Sequence, residues 1–394
     1  MAERNLDFNR VINRKGTDCL KYDFAIERGL PEDVLPLWVA DMDFKTSSYI
    51  EDALIERSKE AIFGYSEVKD EYFDAVSGWM KKHHNWDVKK EWLVKTPGVV
   101  FAIAMAIRAF TKENDGVLIQ QPVYYPFAAT IKDNNRKVVS NDLKQDENGY
   151  YYIDFEDFEQ KIVDNSIKLF VLCSPHNPVG RVWTREELTK IGDICLKHNV
   201  FVVSDEIHND FAIGRQHTVF PTIKEEYILN SMVCTSPSKT FNLASMMISN
   251  IFIPDPDRRA AILKEMISVG IDQLSILGLV AAKAAYQHGE EWYEAMIKYV
   301  SDNIEFAREY VKEKLPGVKM ADHQGTYLIW LDFRDLGLEV NELDDIIINK
   351  AKLWLDSGKI FGSTGEGFQR INVACPRSVL EEALERIRKA LEEK

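Results

Sequence analysis

Between residues 117 and 253 the chain repeatedly sets a short, unbroken apolar run beside a stretch of helical periodicity. The runs are residues 117–120, 168–174 (Lys-Leu-Phe-Val-Leu-Cys-Ser), 200–204, 228–234 and 248–253. Between two of them, 184–199 reads as a helix, with Thr184 at the N-cap and Glu187 three residues on, the reciprocal pattern of a capping box. A strand that is apolar at every position must be covered on both faces. Runs of that kind separated by helices predict an α/β fold with a mostly parallel central sheet flanked by helices. Such sheets carry their ligand sites at the strand ends, so the residues that follow each run are the ones to weigh for chemistry.

The C-terminal third changes character. Residues 291–315 form an amphipathic helical pattern closed by Pro316-Gly317, followed by a strand at 325–333, a helix at 340–355, a strand at 369–374 and a charged helix at 379–394. This predicts a smaller α/β domain. The first 45 residues lack a strong pattern and are expected to form an arm packed on one of the domains or on a partner subunit. The expected division is 1–45 as the arm and part of the small domain, 46–285 as a large cofactor-binding domain and 286–394 as the small C-terminal domain.

Composition removes several function classes. A formal net charge of −14 argues against a nucleic-acid-binding surface and against docking on anionic lipid. No apolar stretch approaches the ~20 residues of a membrane span. The opening Met-Ala-Glu-Arg-Asn has no apolar core, so no secretory signal is expected. Cys19, Cys173, Cys195, Cys234 and Cys375 are scattered, with no C-x-x-C pair, and read as reduced core residues of a cytoplasmic protein. There is no H-E-x-x-H, P-loop or G-x-G-x-x-G, and the glycines of Gly362-Ser-Thr-Gly-Glu-Gly367 have the wrong spacing for a dinucleotide fingerprint.

The strand ends hold a consistent set of groups. Lys239, in Thr235-Ser-Pro-Ser-Lys-Thr-Phe-Asn242, follows the run 228–234 and is flanked by the hydroxyls of Thr235, Ser236 and Ser238. That arrangement suits a Schiff-base lysine holding pyridoxal phosphate. Such chemistry also asks for a carboxylate at the ring nitrogen, a donor to the phenolic oxygen, an aromatic on the ring face, amides at a helix N-terminus for the phosphate, and a cation for the substrate carboxylate. Asp205 ends the run 200–204, and Asn177 follows 168–174 in Ser174-Pro-His-Asn-Pro-Val-Gly180. Tyr124 lies in Pro122-Val-Tyr-Tyr-Pro126. Gly98, Val99 and Val100 precede an apolar helical run, and Arg370 opens a strand of the small domain. Taken singly, each has an ordinary structural reading as a turn cap, a core aromatic or a surface ion pair. Their joint occurrence at successive strand ends is what points to one site.

With these residues assembled, the chain resembles a fold-type I pyridoxal-phosphate enzyme of the aspartate aminotransferase superfamily (class I/II), and within it the MalY/PatB-type cystathionine β-lyases, or C–S lyases. The resemblance runs over nearly the whole chain. It is carried by Trp38-Val-Ala-Asp-Met-Asp-Phe44, Gly64-Tyr65, Thr96-Pro-Gly-Val-Val100, Pro175-His-Asn-Pro-Val-Gly-Arg-Val-Trp183, Ser204-Asp-Glu-Ile-His208, Ser238-Lys-Thr-Phe-Asn242, Gly325-Thr-Tyr-Leu328 and Arg370-Ile-Asn-Val-Ala-Cys-Pro376.

The resemblance implies Lys239 as the Schiff-base lysine, Asp205 at the pyridine nitrogen, Asn177 at the phenolic oxygen and Tyr124 on the ring. It implies that Gly98, Val99, Val100 and Ser236 hold the phosphate. Tyr65 would reach the phosphate of a neighbouring subunit's site, which implies a homodimer with shared active sites. Arg370 would clamp the substrate α-carboxylate near Ala40, with Tyr124 and Asn177 also beside the substrate.

Two departures from the general aminotransferase pattern stand out. His208 occupies a position near the phenolic oxygen where many relatives place Tyr, and no arginine follows Lys239 in 240–250, where Met246 and Met247 stand instead. The expected reaction is β-elimination from cystathionine or a related cysteine S-conjugate, giving a thiol, pyruvate and ammonia. Transamination on the same scaffold is the alternative. Two further readings are a serine acyl-enzyme, from the S-x-x-K match at Ser236–Lys239 and the S-D-N match at Ser301-Asp-Asn303, and a binding protein without catalysis.

Overall fold

The computed structural model describes residues 2–393. The larger sheet has seven strands: β1 (Leu93–Thr96), β2 (Gly116–Ile119), β3 (Lys137–Ser140), β4 (Leu169–Cys173), β5 (Phe201–Asp205), β6 (Ser231–Thr235) and β7 (Ser249–Phe252). Their spatial order is β1-β7-β6-β5-β4-β2-β3. β3, β2, β4, β5 and β6 pair in parallel, and β7 runs antiparallel to both of its neighbours. The sheet is therefore mixed, as a mostly parallel sheet with an inserted antiparallel strand.

The unbroken apolar runs are explained by the two covered faces. Leu169, Val171, Phe201 and Val203 join a core with helix Val99–Phe110, whereas Phe170, Leu172 and Val202 join a core with helices Phe155–Asp164 and Arg185–Lys197. Each such side chain contributes about 1.5–3 kcal/mol of burial free energy. The capping box forms as the sequence predicts: Thr184 Oγ1 accepts from Glu187 N at 3.2 Å, and Glu187 Oε2 accepts from Thr184 N at 2.8 Å.

A second, antiparallel sheet has the order β8-β9-β11-β10, from β8 (Lys319–Met320), β9 (Leu328–Asp332), β10 (Asp356–Ser357) and β11 (Phe368–Asn372). Helices Glu290–Lys314 and Arg377–Glu392 pack with it through Ile304, Ala307, Leu380, Leu384 and Ile387.

Three expectations change. Residues 228 and 229 are not in β6 but in a short helix, Glu225–Leu229, whose Tyr227 is buried. The helix expected over 340–355 stops early. It runs Val340–Asp345, widens into a π turn at Ile346–Lys350 and ends before Lys352, whose φ is +53°. Leu353–Trp354 then forms a strand parallel to Leu35–Pro36. Pairing and burial of the Leu353–Leu355 side chains outweigh the helical periodicity that continues through them. The N-terminal residues are tied to this same chain: besides that strand pair, Trp38 stacks on Trp354 at 4.5 Å between centroids and Phe8 packs against Trp292 and Tyr299. Arg370 lies within β11 rather than at its start, opposite Trp330 and Asp356.

Candidate active site

The parallel strands bring the site together by ending level. In the register, Cys173 faces Asp205 and Asp205 faces Cys234. The turns that follow β4, β5 and β6 therefore emerge side by side, next to the point between β2 and β4 where the strand order reverses. They enclose a cavity of about 190 Å³. Its walls include Ala40, Gly98, Val99, Val100, Tyr124, Asn177, Asp205, His208 and Lys239, nine of the residues singled out from the sequence.

Lys239 sits in a four-residue helix, Pro237–Thr240, directly after β6. Its Nζ donates to the Ala40 carbonyl at 2.8 Å. Burial, reinforced by the Arg370 charge, lowers its amine to about 8, against the pull of Asp41 and Asp205 in the other direction. Asp205 is the reverse case. Burial pushes its carboxyl up to about 7, although the Ile207 N–H that it accepts at 3.1 Å and the Lys239 charge both act to lower it. An amine and a carboxyl drawn toward neutrality in one enclosed space are what proton transfer near pH 7 requires. A buried carboxylate at a strand end is also matched to a cationic ring nitrogen, which would restore its charge.

Helix Val99–Phe110 points its N-terminus at the cavity. Gly98 is its N-cap and no side chain caps it, so the amides of the first turn remain for a ligand. Gly98 has an extended φ of 177°, and a Cβ added there would meet no protein atom within 4 Å. The helix start thus faces open space, as a phosphate cradle must. No arginine lines the cavity among the described residues, and Ser238 and Ser249 supply the hydroxyls. Ser236 is placed differently from its expected part in holding a phosphate. Its Oγ accepts from Ser238 N at 3.1 Å and bonds to the Ile248 carbonyl at 2.8 Å, so it caps the lysine turn from behind.

Arg370 is almost fully buried. It donates to Asn177 Oδ1 at 2.9 Å, to the Trp38 carbonyl at 2.8 Å and to Asp356. Its Nε has no partner, which leaves a buried donor for a carboxylate. Because Asn177 Oδ1 faces Arg370, the amide nitrogen of Asn177 is the group left to donate to a ligand. His208 is kept neutral, its pKa held well below the ordinary histidine value by burial and by the Lys239 and Arg370 charges. Burial likewise raises the Tyr124 phenol. These donors and acceptors fit the groups of pyridoxal phosphate one by one.

Tyr65 is not in this cavity. It is 97% exposed and borders a separate surface depression with Gly64, Ser66 and residues 272–277. The serine acyl-enzyme pattern dissolves: Ser301 and Asn303 lie in helix Glu290–Lys314, where Asn303 Nδ2 donates to the Val373 and Cys375 carbonyls. Two participants went unread in the sequence. Tyr327 donates its hydroxyl to the Ala40 carbonyl at 2.9 Å, and Asp356 pairs with Arg370. Tyr327 belongs to the segment Gly325-Thr-Tyr-Leu328, but only the fold brings it to Ala40. No pattern marks Asp356, which is an isolated carboxylate in the two-residue strand β10.

Residues 32–387 match the family model described as aminotransferase class I and II. The chain belongs to this family. It is 42% identical to cystathionine beta-lyase PatB of Bacillus subtilis over 387 residues, covering 98% of this chain and all of that protein. It is 34% identical to protein MalY of Escherichia coli, covering 96% and 97% of the two chains. Among solved structures it is similar to cystalysin from Treponema denticola, which contains a pyridoxal 5′-phosphate cofactor, with a TM-score of 0.95, 40% identity and coverage of 98% and 99%. The fold is that of the fold-type I enzymes of this family.

Proposed function

We propose that this protein is a pyridoxal-phosphate-dependent C–S β-lyase acting on cystathionine or related cysteine S-conjugates. The observation that carries the reading is the juxtaposition of Lys239, Asp205 and Asn177 around one cavity, with Arg370 bonded to Asn177 behind its wall, on a chain similar to cystathionine β-lyases over nearly its full length.

Bound there, the cofactor supplies an electron sink for the pair released at the substrate Cα. Lys239 is the lysine that would hold it. The amides of Gly98, Val99 and Val100, with Ser238 of the lysine turn that Ser236 caps, would hold its phosphate. Asp205 would keep a proton on its ring nitrogen, Asn177 and His208 would face its phenolic oxygen, and Tyr124 would flank the ring. Arg370 would take the substrate α-carboxylate beside Ala40, Tyr124 and Asn177. Lys239 Nζ, lowered to about 8, removes the Cα proton. The Cβ–S bond breaks with its electron pair on sulfur, and the thiolate leaves. Addition of one water then yields pyruvate and ammonia, so that substrate and water balance thiol, pyruvate and ammonia. The surroundings of Lys239 shift it toward its neutral form, which is the form a base needs.

The same reading takes the protein as a cytoplasmic homodimer in which Tyr65 reaches the neighbouring site. Its division is residues 1–45 as arm and part of the small domain, 46–285 as the large domain and 286–394 as the small one. The described residues contain no helix long and apolar enough to cross a membrane. The deciding experiment supplies cystathionine with and without a keto acid. Thiol and pyruvate released without the keto acid support the lyase reading, whereas turnover only in its presence would sink it in favour of transamination.

A further inference from the structure

Lys239 is carried by a helix of only four residues, so its backbone is set by bonds to the rest of the molecule rather than by a ladder of its own. One of those bonds leads away from the cavity. Thr240 Oγ1 donates to Asp210 Oδ2 at 2.5 Å. The other oxygen of Asp210 accepts from His84 Nε2 at 2.8 Å and from Trp79 Nε1 at 3.1 Å, both on helix Asp70–His84. The Asp210 carbonyl accepts from Tyr293 at 2.7 Å. Asp210 itself lies in the turn Asn209–Phe211 that follows Asp205 and His208. Its carboxylate therefore bridges the turn that follows Asp205 and the turn that carries Lys239.

Asp210 and Thr240 are both buried. An ionised carboxylate in such a place is tolerated only when donors surround it. Burial acts to raise the Asp210 carboxyl, but His84, Thr240 and the nearby His83 outweigh it and keep the group low. The titratable groups facing it are His83, His84, Tyr286 and Tyr293.

We propose that Asp210 is a positioning residue for Lys239: through Thr240 its carboxylate sets the lysine turn against the Asp205 turn, while His84 and Trp79 hold that carboxylate still. The inference rests on the reading of Lys239 and Asp205 as the two groups that act on the cofactor. It gives Asp210 no contact with substrate.

Thr240→Val removes the hydroxyl and keeps the shape, and Thr240→Ser restores it. Asp210→Asn places an amide donor against Thr240 or against His84. Each holoenzyme is compared for the pH midpoint of its visible absorbance, kcat and KM for cystathionine, and Tm. The cofactor-free proteins are compared for the rate at which added pyridoxal phosphate restores the absorbance. Thr240→Val and Asp210→Asn are expected to shift the midpoint, slow the reconstitution and lower kcat by up to about 10²-fold, with KM little changed and Thr240→Ser close to wild type. A remote core change, Ile387→Val, is expected to move Tm alone. The proposal is overturned if Thr240→Val and any folded Asp210→Asn protein lose Tm only, or if Thr240→Ser behaves as Thr240→Val does. If wild type itself gains no visible absorbance with pyridoxal phosphate, the reading of Lys239 fails first and the proposal falls with it.

Discussion

Among the described residues, Lys21 is fully and Lys239 partly withdrawn from bulk water, and their surroundings push them in opposite directions. Lys21 is fully buried with Asp43 at 2.8 Å and Asp41 at 3.5 Å, and Arg14 closes the same network onto both carboxylates. Burial alone would lower its amine, but Asp43 and Asp41 raise it. Lys239 has a neutral carbonyl as its hydrogen-bond partner and the Arg370 charge nearby, so burial prevails and the amine drops to about 8. One lysine is thereby a permanent cation that braces the segment running into Ala40. The other can give and take a proton near neutrality. Burial does not distinguish a structural from a catalytic lysine; the charge of its nearest neighbours does.

The largest expected effect comes from removing each amine. Lys239→Ala should lower turnover by at least about 10⁴-fold, the upper scale of acid–base catalysis alone, and should leave far-UV circular dichroism unchanged. Lys21→Met should do the converse. It leaves Asp43 to Arg14 alone, costing up to about 3 kcal/mol in a denaturant titration, while the folded fraction keeps the absorbance of bound cofactor. Matching phenotypes for the two variants would erase the distinction.

Next in size is the pH response. In cofactor-free protein, an amine-modifying reagent should label Lys239 with a midpoint near 8 and leave Lys21 unlabelled, as read by peptide mass spectrometry. The linkage signs also differ. Lys239 is lowered from an unfolded value of about 10.4. The unfolded chain therefore binds more protons between about 8 and 10.4, and this residue makes stability rise with pH across that window. Lys21 is raised, so its contribution is complete below about 10.4 and is lost only as pH climbs through its folded value. Stability–pH curves of Lys239→Met and Lys21→Met, each against wild type, should diverge in opposite senses on the alkaline side.

The smallest effect is expected at the shared acceptor. Tyr327→Phe removes one of the two donors to the Ala40 carbonyl and should cost about 0.5–1.5 kcal/mol by chemical denaturation. A loss above about 3 kcal/mol, the upper cost of one unsatisfied buried group, would mean that Tyr327 does more than steady that carbonyl.

Much of this was legible in one dimension. The unbroken apolar runs at 168–174 and 200–204, bounded by turn residues and helical patterns, marked strands covered on both faces, and Thr184 with Glu187 marked a helix start within a residue. At residues 228 and 229 a short apolar run satisfies helix and strand alike, and over 340–355 the helical periodicity continues into residues that pair as a strand. Only the tertiary pairing of Leu353–Trp354 with Leu35–Pro36 resolves the second of them. The lysine, carboxylate, asparagine and arginine of the site were visible because each stands beside a strand or in a recognisable motif.

What the sequence by itself determined was the strand–helix order and the identity of the groups at the strand ends, since local hydrophobic pattern and turn chemistry act over a few residues. The tertiary structure decided which of those groups meet. It placed Ser238 rather than Ser236 at the cavity wall, set Asp356 on Arg370, bridged Asp210 to Thr240 and gave Lys239 and Lys21 their opposite fates. Those outcomes depend on distances between residues far apart in the chain. Electrostatic effects are set by such distances, which a linear sequence does not contain.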